Sequence, residues 1–228
     1  LADNATVLLK NHESSLPVKP ADIKHIHLLV ANEQEQQALQ KAIVNQWQKS
    51  GQTQLKITSI IAEQGKTLAK IQNISQLIQA DLVIVTVDIK AASVVDLGGI
   101  DDLLRQAVNT YKSSPLLAQQ QLSQQQLSQE TKIVEKKTTQ KKANYGQLVK
   151  LQLAFAKEQK ITSLLIAQGS PFLVTPFLNS ADAVLLTFDD KIMVDNDGVN
   201  FSAGLNASIA IAIGMQQVKG VLPVTLSQ

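Results

Sequence analysis

Cysteine is absent from the 228 residues, which excludes disulfide bonds, thiolate metal sites and thiol catalysis. Aromatic residues are scarce, 4% of the chain with one Trp, at position 47, so the core has to be aliphatic. Charge of one sign is scarce as well: 21 Lys and Arg against 19 Asp and Glu leave +2, which argues against nucleic acid as the main partner. No stretch approaches the 18 or more apolar residues of a membrane span. The Walker loop, HExxH, GxSxG and GxGxxG are all missing.

What is present is a series of short apolar runs in a chain that is 44% hydrophobic and 18% charged, long enough for one large domain or two small ones. "IKHIHLLV" (23–30), "LKITSII" (55–61), "DLVIVTVD" (81–88), "ITSLLIA" (161–167) and "ADAVLLTF" (181–188) read as strands. Between them, "EQEQQALQKAIVNQWQKSG" (33–51) spaces Ala38, Ala42, Ile43 and Trp47 as a helix does, closing on Gly51. "GKTLAKIQNISQLIQA" (65–80), "YGQLVKLQLAFAKEQK" (145–160) and "GLNASIAIAIGM" (204–215) are further helices. Strands this apolar, alternating with helices, predict a mostly parallel sheet covered on both faces: a three-layer α/β/α sandwich, flavodoxin-like or Rossmann-like. "GVLPVTL" (220–226) would add an edge strand, where its Pro is tolerated.

From about Ala91 to Lys142 the rhythm breaks into a Gln-rich and then Lys-rich stretch. Leu117, Leu122 and Leu127 recur at spacings a helix can use, so the stretch reads as an exposed helical insertion with a basic end.

Three small signals bear on chemistry. His25 and His27, two apart on a strand, face one way, as a metal pair would; with no Cys and no third ligand nearby, two polar residues near a strand's start is the better account. Asp195 to Gly198, "DNDG", lacks the ligand spacing of an EF-hand and reads as a hairpin turn between "KIMV" and "VNF". Gly169-Ser170-Pro171 ends a strand and opens a helix, with Ser as N-cap and Pro at the first helical position. That junction also leaves N–H groups at the carboxyl edge of the sheet, where open α/β folds bind ligands. As a nucleophile Ser170 lacks a plausible His base, all three histidines lying in the first 27 residues, so structure is the first reading, ligand contact the second and catalysis a distant third. Gly169, Ser170 and Asp88 are the candidates for substrate contact; no catalytic or metal residue is nominated, and no cofactor is expected.

Three stretches together resemble the C-terminal domain of family-3 glycoside hydrolases. "ATVLLKNHESSLPVK" (5–19) resembles its "VLLKN…LPL" opening, and "GQLVKLQLAFAKEQKITSLLIAQGSPFLVTPFLNSADAVLLTF" (146–188) its helix, strand, Gly/Ser-Pro-Tyr/Phe turn, short helix and "ADAVL" strand. "SAGLNASIAIAIGMQQVKGVLPVTL" (202–226) resembles its last helix and "G…GKLPV" close. The likeness leans to the β-N-acetylhexosaminidase branch and covers about two thirds of the chain.

The resemblance implies a parent enzyme that hydrolyses terminal β-linked N-acetylglucosaminides, cell-wall fragments among them. Its nucleophilic Asp and acid/base His would sit on a preceding TIM barrel, the partner of this domain. Neither barrel motif is found here, and Glu63, Glu130 and Glu135 do not match the acid of the β-glucosidase branch, so the isolated chain is expected to be inactive. Residues 1–228 then form a single sandwich, with 1–22 arriving from the barrel and about 91–142 inserted. Cysteine avoidance and a Gln/Ser/Thr-rich surface suit an extracellular or wall-associated bacterial protein, with a cytoplasmic one as the alternative. A freestanding small-molecule module, or an interaction domain whose Gln/Lys-rich insertion docks a partner, is the alternative.

Overall fold

The computed structural model describes residues 5–62, 71–89, 145–171 and 174–220. Its centre is a six-stranded sheet made of β1 (Thr6–Asn11), β2 (His25–Val30), β3 (Lys56–Ile61), β4 (Leu82–Ile89), β5 (Thr162–Gly169) and β6 (Ala183–Thr187). Their spatial order is β1-β6-β5-β4-β2-β3. Every pairing is parallel except β1 with β6, which is antiparallel.

Helices cover both faces because the strands are apolar on both. On β2, Ile26, Leu28 and Val30 turn to one side, joined there by Leu82 and Ile84 of β4 and by Leu164 and Ile166 of β5. Over them lie α1 (Glu33–Lys49), through Ala38, Leu39, Ala42, Ile43 and Trp47, and α4 (Ala203–Ala212), through Leu205 and Ile209. The alternate residues, Leu29, Val83, Val85, Val87 and Leu165, pack with α2 (Ile71–Ile78) and α3 (Tyr145–Glu158). The three predicted layers are there, and the predicted apolar face of α1 is buried residue for residue.

The opening segment is more than an approach to the sheet. It folds as β1, pairing Thr6 with Thr187 and Asn11 with Ala183. Val18 N–H then donates to the Ala212 carbonyl at 2.8 Å, tying the segment to the end of α4. The "DNDG" turn joins β7 (Met193–Val194) to β8 (Asn200–Phe201). Asp195 organises it, its Oδ1 accepting from Asp197 N–H at 3.0 Å and Val199 N–H at 2.8 Å, and Gly198 takes φ 77°. Asp195 also pairs with Lys41, which fastens the hairpin to α1. The Gly-Ser-Pro junction leads into 3₁₀ structure at Pro171, with a further 3₁₀ turn over Thr175–Phe177. The insertion at about 91–142, the edge strand at 220–226 and the early part of the 65–80 helix lie outside the described residues.

Candidate functional site

β3 lies on one side of β2 and β4 on the other, so the chain changes direction across the carboxyl ends of β2 and β4. Open α/β sheets place their ligand crevice at such a point. The nominated residues converge on this edge: Asp88 is paired in register with Gln168, and Gly169, with φ 108°, follows at the end of β5. Asp88, Gly169 and Ser170 are half-buried and form a rim.

Sequence reasoning missed the residues beneath that rim. Asn32 caps α1, its Oδ1 accepting from Glu35 N–H at 2.9 Å, while Glu35 Oε2 reaches back to accept Ala31 N–H at 2.8 Å. This is a capping box displaced by one residue, and Asn-x-x-Glu before a helical run was its visible signal. The other oxygen of Glu35 accepts from Gln168 Nε2 at 2.6 Å. Thr86, Asp88 and Gln168 share the α1 side of the sheet by strand alternation. From the opposite side, Tyr145 puts its hydroxyl 2.7 Å from the Thr86 carbonyl and 3.2 Å from that of Leu29, where β4 and β2 part.

Electrostatics follow from burial. Glu35 is 3% exposed; burial raises its pKa and the charge of Asp88 adds to this, against hydrogen bonds from Ala31 N–H and Gln168. Burial also raises the Tyr145 hydroxyl well above its usual range, with the Glu35 charge as the next cause. A carboxyl held toward its neutral form at a sheet's carboxyl edge is the environment of a general acid. Here, however, both oxygens are engaged by the chain's own donors. Beneath the rim that Asp88, Gly169 and Ser170 form, Glu35, Gln168 and Tyr145 bond to the chain itself.

No histidine base stands near Ser170. His25 opens β2 at the amino edge of the sheet, and His12 N–H bonds the Asp182 carbonyl just before β6, at the same edge. His25 and His27 do face one way, and they share the hydroxyl of Thr58. Among the described residues no group of three or more His, Asp or Glu is placed to hold a metal ion. No described helix is long and apolar enough to cross a membrane.

The class defined so far is a doubly wound α/β domain with a polar rim at the carboxyl edge of its sheet. No family model and no curated protein sequence matches the chain. Solved structures do. A β-glucosidase from Erythrobacter marinus superposes with a TM-score of 0.50 at 9% identity, over 96% of this chain and 28% of that one. A β-glucosidase from Listeria innocua in complex with glucose gives 0.49 at 14% identity, over 96% and 25%. A fungal multi-domain GH3 β-N-acetylglucosaminidase gives 0.46 at 13% identity, over 100% and 19%. At such identity the Erythrobacter likeness speaks for the fold alone. The chain spans less than a third of the length of each of these proteins.

Proposed function

We propose that this chain is the α/β sandwich domain of a family-3 glycoside hydrolase, packing beside a catalytic TIM barrel of the same polypeptide. Asp88, Gly169 and Ser170 lend it rim contacts to the sugar. The observation that carries the reading is how the three stretches of the resemblance assemble. Residues 5–19 supply β1, which pairs with β6 of the 146–188 stretch, and Val18 bonds the α4 end of the 202–226 stretch. Segments far apart in the chain build one continuous flank of the sheet.

The parent reaction in this reading is hydrolysis of terminal β-linked N-acetylglucosaminides, with cell-wall fragments as substrates and an extracellular or wall-associated location. Residues 1–22 arrive from the barrel, and about 91–142 are an insertion in one sandwich domain. The Glu35 carboxyl, with both oxygens accepting from the chain's own donors, and the histidines of the amino edge suit a supporting domain with no chemistry of its own.

The test is the mass of the native protein, read on source cells with an antibody raised to this chain. A species larger than 24.7 kDa by about 250 residues or more is expected; a band at the chain's own mass overturns the reading. The isolated chain is expected to leave an aryl N-acetyl-β-glucosaminide uncleaved, while the full-length protein cleaves it.

A further inference from the structure

A groove of about 370 Å³ runs between α1, the first turn of α4 and the β7–β8 hairpin. That is room for a small molecule, at the lower end of ligand-sized cavities. Ala38, Lys41, Ala42, Asn45 and Lys49, three or four residues apart, make its α1 wall. Phe201, Ala203 and Asn206 line it from β8 and α4, and Asp195 lines it from the hairpin.

The polar groups of the groove are unevenly spent. Asp195 is engaged at both oxygens: Oδ1 accepts from Asp197 and Val199 N–H, and Oδ2 pairs with Lys41. Asn206 Oδ1 accepts from the buried Gln46 Nε2 at 2.9 Å, a bond that fixes the Asn206 amide and uses none of its hydrogens. Among the described residues Lys49 has no ion-pair partner and the Asn45 side chain no hydrogen bond. These two stand four apart on one face of α1, so their donors suit the two oxygens of a single carboxylate. The charges count the same way. Asp195 offsets Lys41, and Lys49 leaves the groove with one positive charge to match.

The rest of the lining is carbon. Ala38, Ala42 and Ala203 give methyl groups, and the Phe201 ring has Lys41 Nζ 6.0 Å from its centroid. A dianion such as phosphate would shed water against these carbons and find one unpaired ammonium only. An aromatic body packs on methyl groups and meets another ring edge to face. We propose that the groove binds a small aromatic monocarboxylate, with its carboxylate on Asn45 and Lys49 and its ring on Ala38 and Ala42 beside Phe201. The site shares no residue with the rim of Asp88, Gly169 and Ser170, and it does not depend on a barrel beside the sandwich.

Titration of the whole chain with sodium benzoate at fixed ionic strength, followed by 15N–1H amide shifts, tests the site. Saturable shifts centred on Asn45, Lys49, Phe201 and Asn206 are expected, with a Kd of about 1–10 mM, ordinary for so small a ligand. Benzamide keeps the shape without the charge, and acetate keeps the charge without the ring. Each should bind about fivefold more weakly or worse, the loss of one modest interaction. Lys49→Gln, at an exposed position, should weaken benzoate about tenfold and leave the melting temperature unchanged. Ala203→Leu, which fills the groove from the α4 side, should remove the benzoate shifts on α1. Shifts that grow without saturating, benzamide binding as tightly as benzoate, or Lys49→Gln binding as the native sequence does overturns the proposal.

Discussion

At the scale of single residues, the described structure turns on polar groups placed where the sheet should be greasy, and Glu35 is the clearest of them. Glu35→Ala strips partners from the half-buried Ala31 N–H and the buried Gln168 amide and should cost about 2–4 kcal/mol. Glu35→Gln, which keeps an acceptor, should cost about half as much. The pH dependence has a definite sign. Because the folded pKa of Glu35 is raised, its protonated form stabilises the native state below the unfolded value, and that contribution disappears as pH rises through the folded one. The stability gap between the native sequence and Glu35→Gln should therefore narrow from about pH 4.5 to pH 8. Urea midpoints at the two pH values measure it, and a widening gap would refute the assignment. The Asn32-x-x-Glu35 half of this arrangement was legible in the chain, because capping is local. Gln168 was not, since its contact spans 133 positions and no periodicity encodes it.

At the scale of elements, close approach decides what a pattern cannot. α4 begins against the end of β6, so that a Cβ on Gly204 would stand 2.4 Å from the Asp189 carbonyl oxygen and 2.6 Å from Thr187 Oγ1. Gly204→Ala must push the helix off the sheet and should cost about 1–3 kcal/mol, seen as a lower melting temperature. Gly51→Ala faces open space but sits at φ 83°, and its cost, about 1 kcal/mol, is conformational only. A larger loss at Gly51 than at Gly204 would contradict this packing. β1 makes the same point. Its residues read as an approach to the domain, because the strand that completes their hydrogen bonding lies near the other end of the chain. Deleting residues 1–11 should bare β6, buried along its whole length, as a long apolar edge. The truncated protein should scatter light as soluble oligomers or aggregate under conditions where the whole chain stays monodisperse.

At the scale of the molecule, fold class was the most legible property. Doubly apolar strands alternating with amphipathic helices have few ways to bury themselves, and a helix-covered parallel sheet is the common one. The positions of β2 to β6 and of α1, α3 and α4 came out within two or three residues of the expected bounds. The site was half legible: Gly169, Ser170 and Asp88 could be nominated because the carboxyl ends of parallel strands share one edge in any such fold. Composition and pattern by themselves determined the layers and the aliphatic core. Only the tertiary structure decided that Glu35 meets Gln168 and Tyr145 reaches the carbonyls of Thr86 and Leu29 at the switch point, and that Thr58 bonds two buried histidines. The physical reason is range. Periodicity and capping act over one or two turns, whereas a buried polar group takes its partner from whichever strand or helix the completed fold sets beside it.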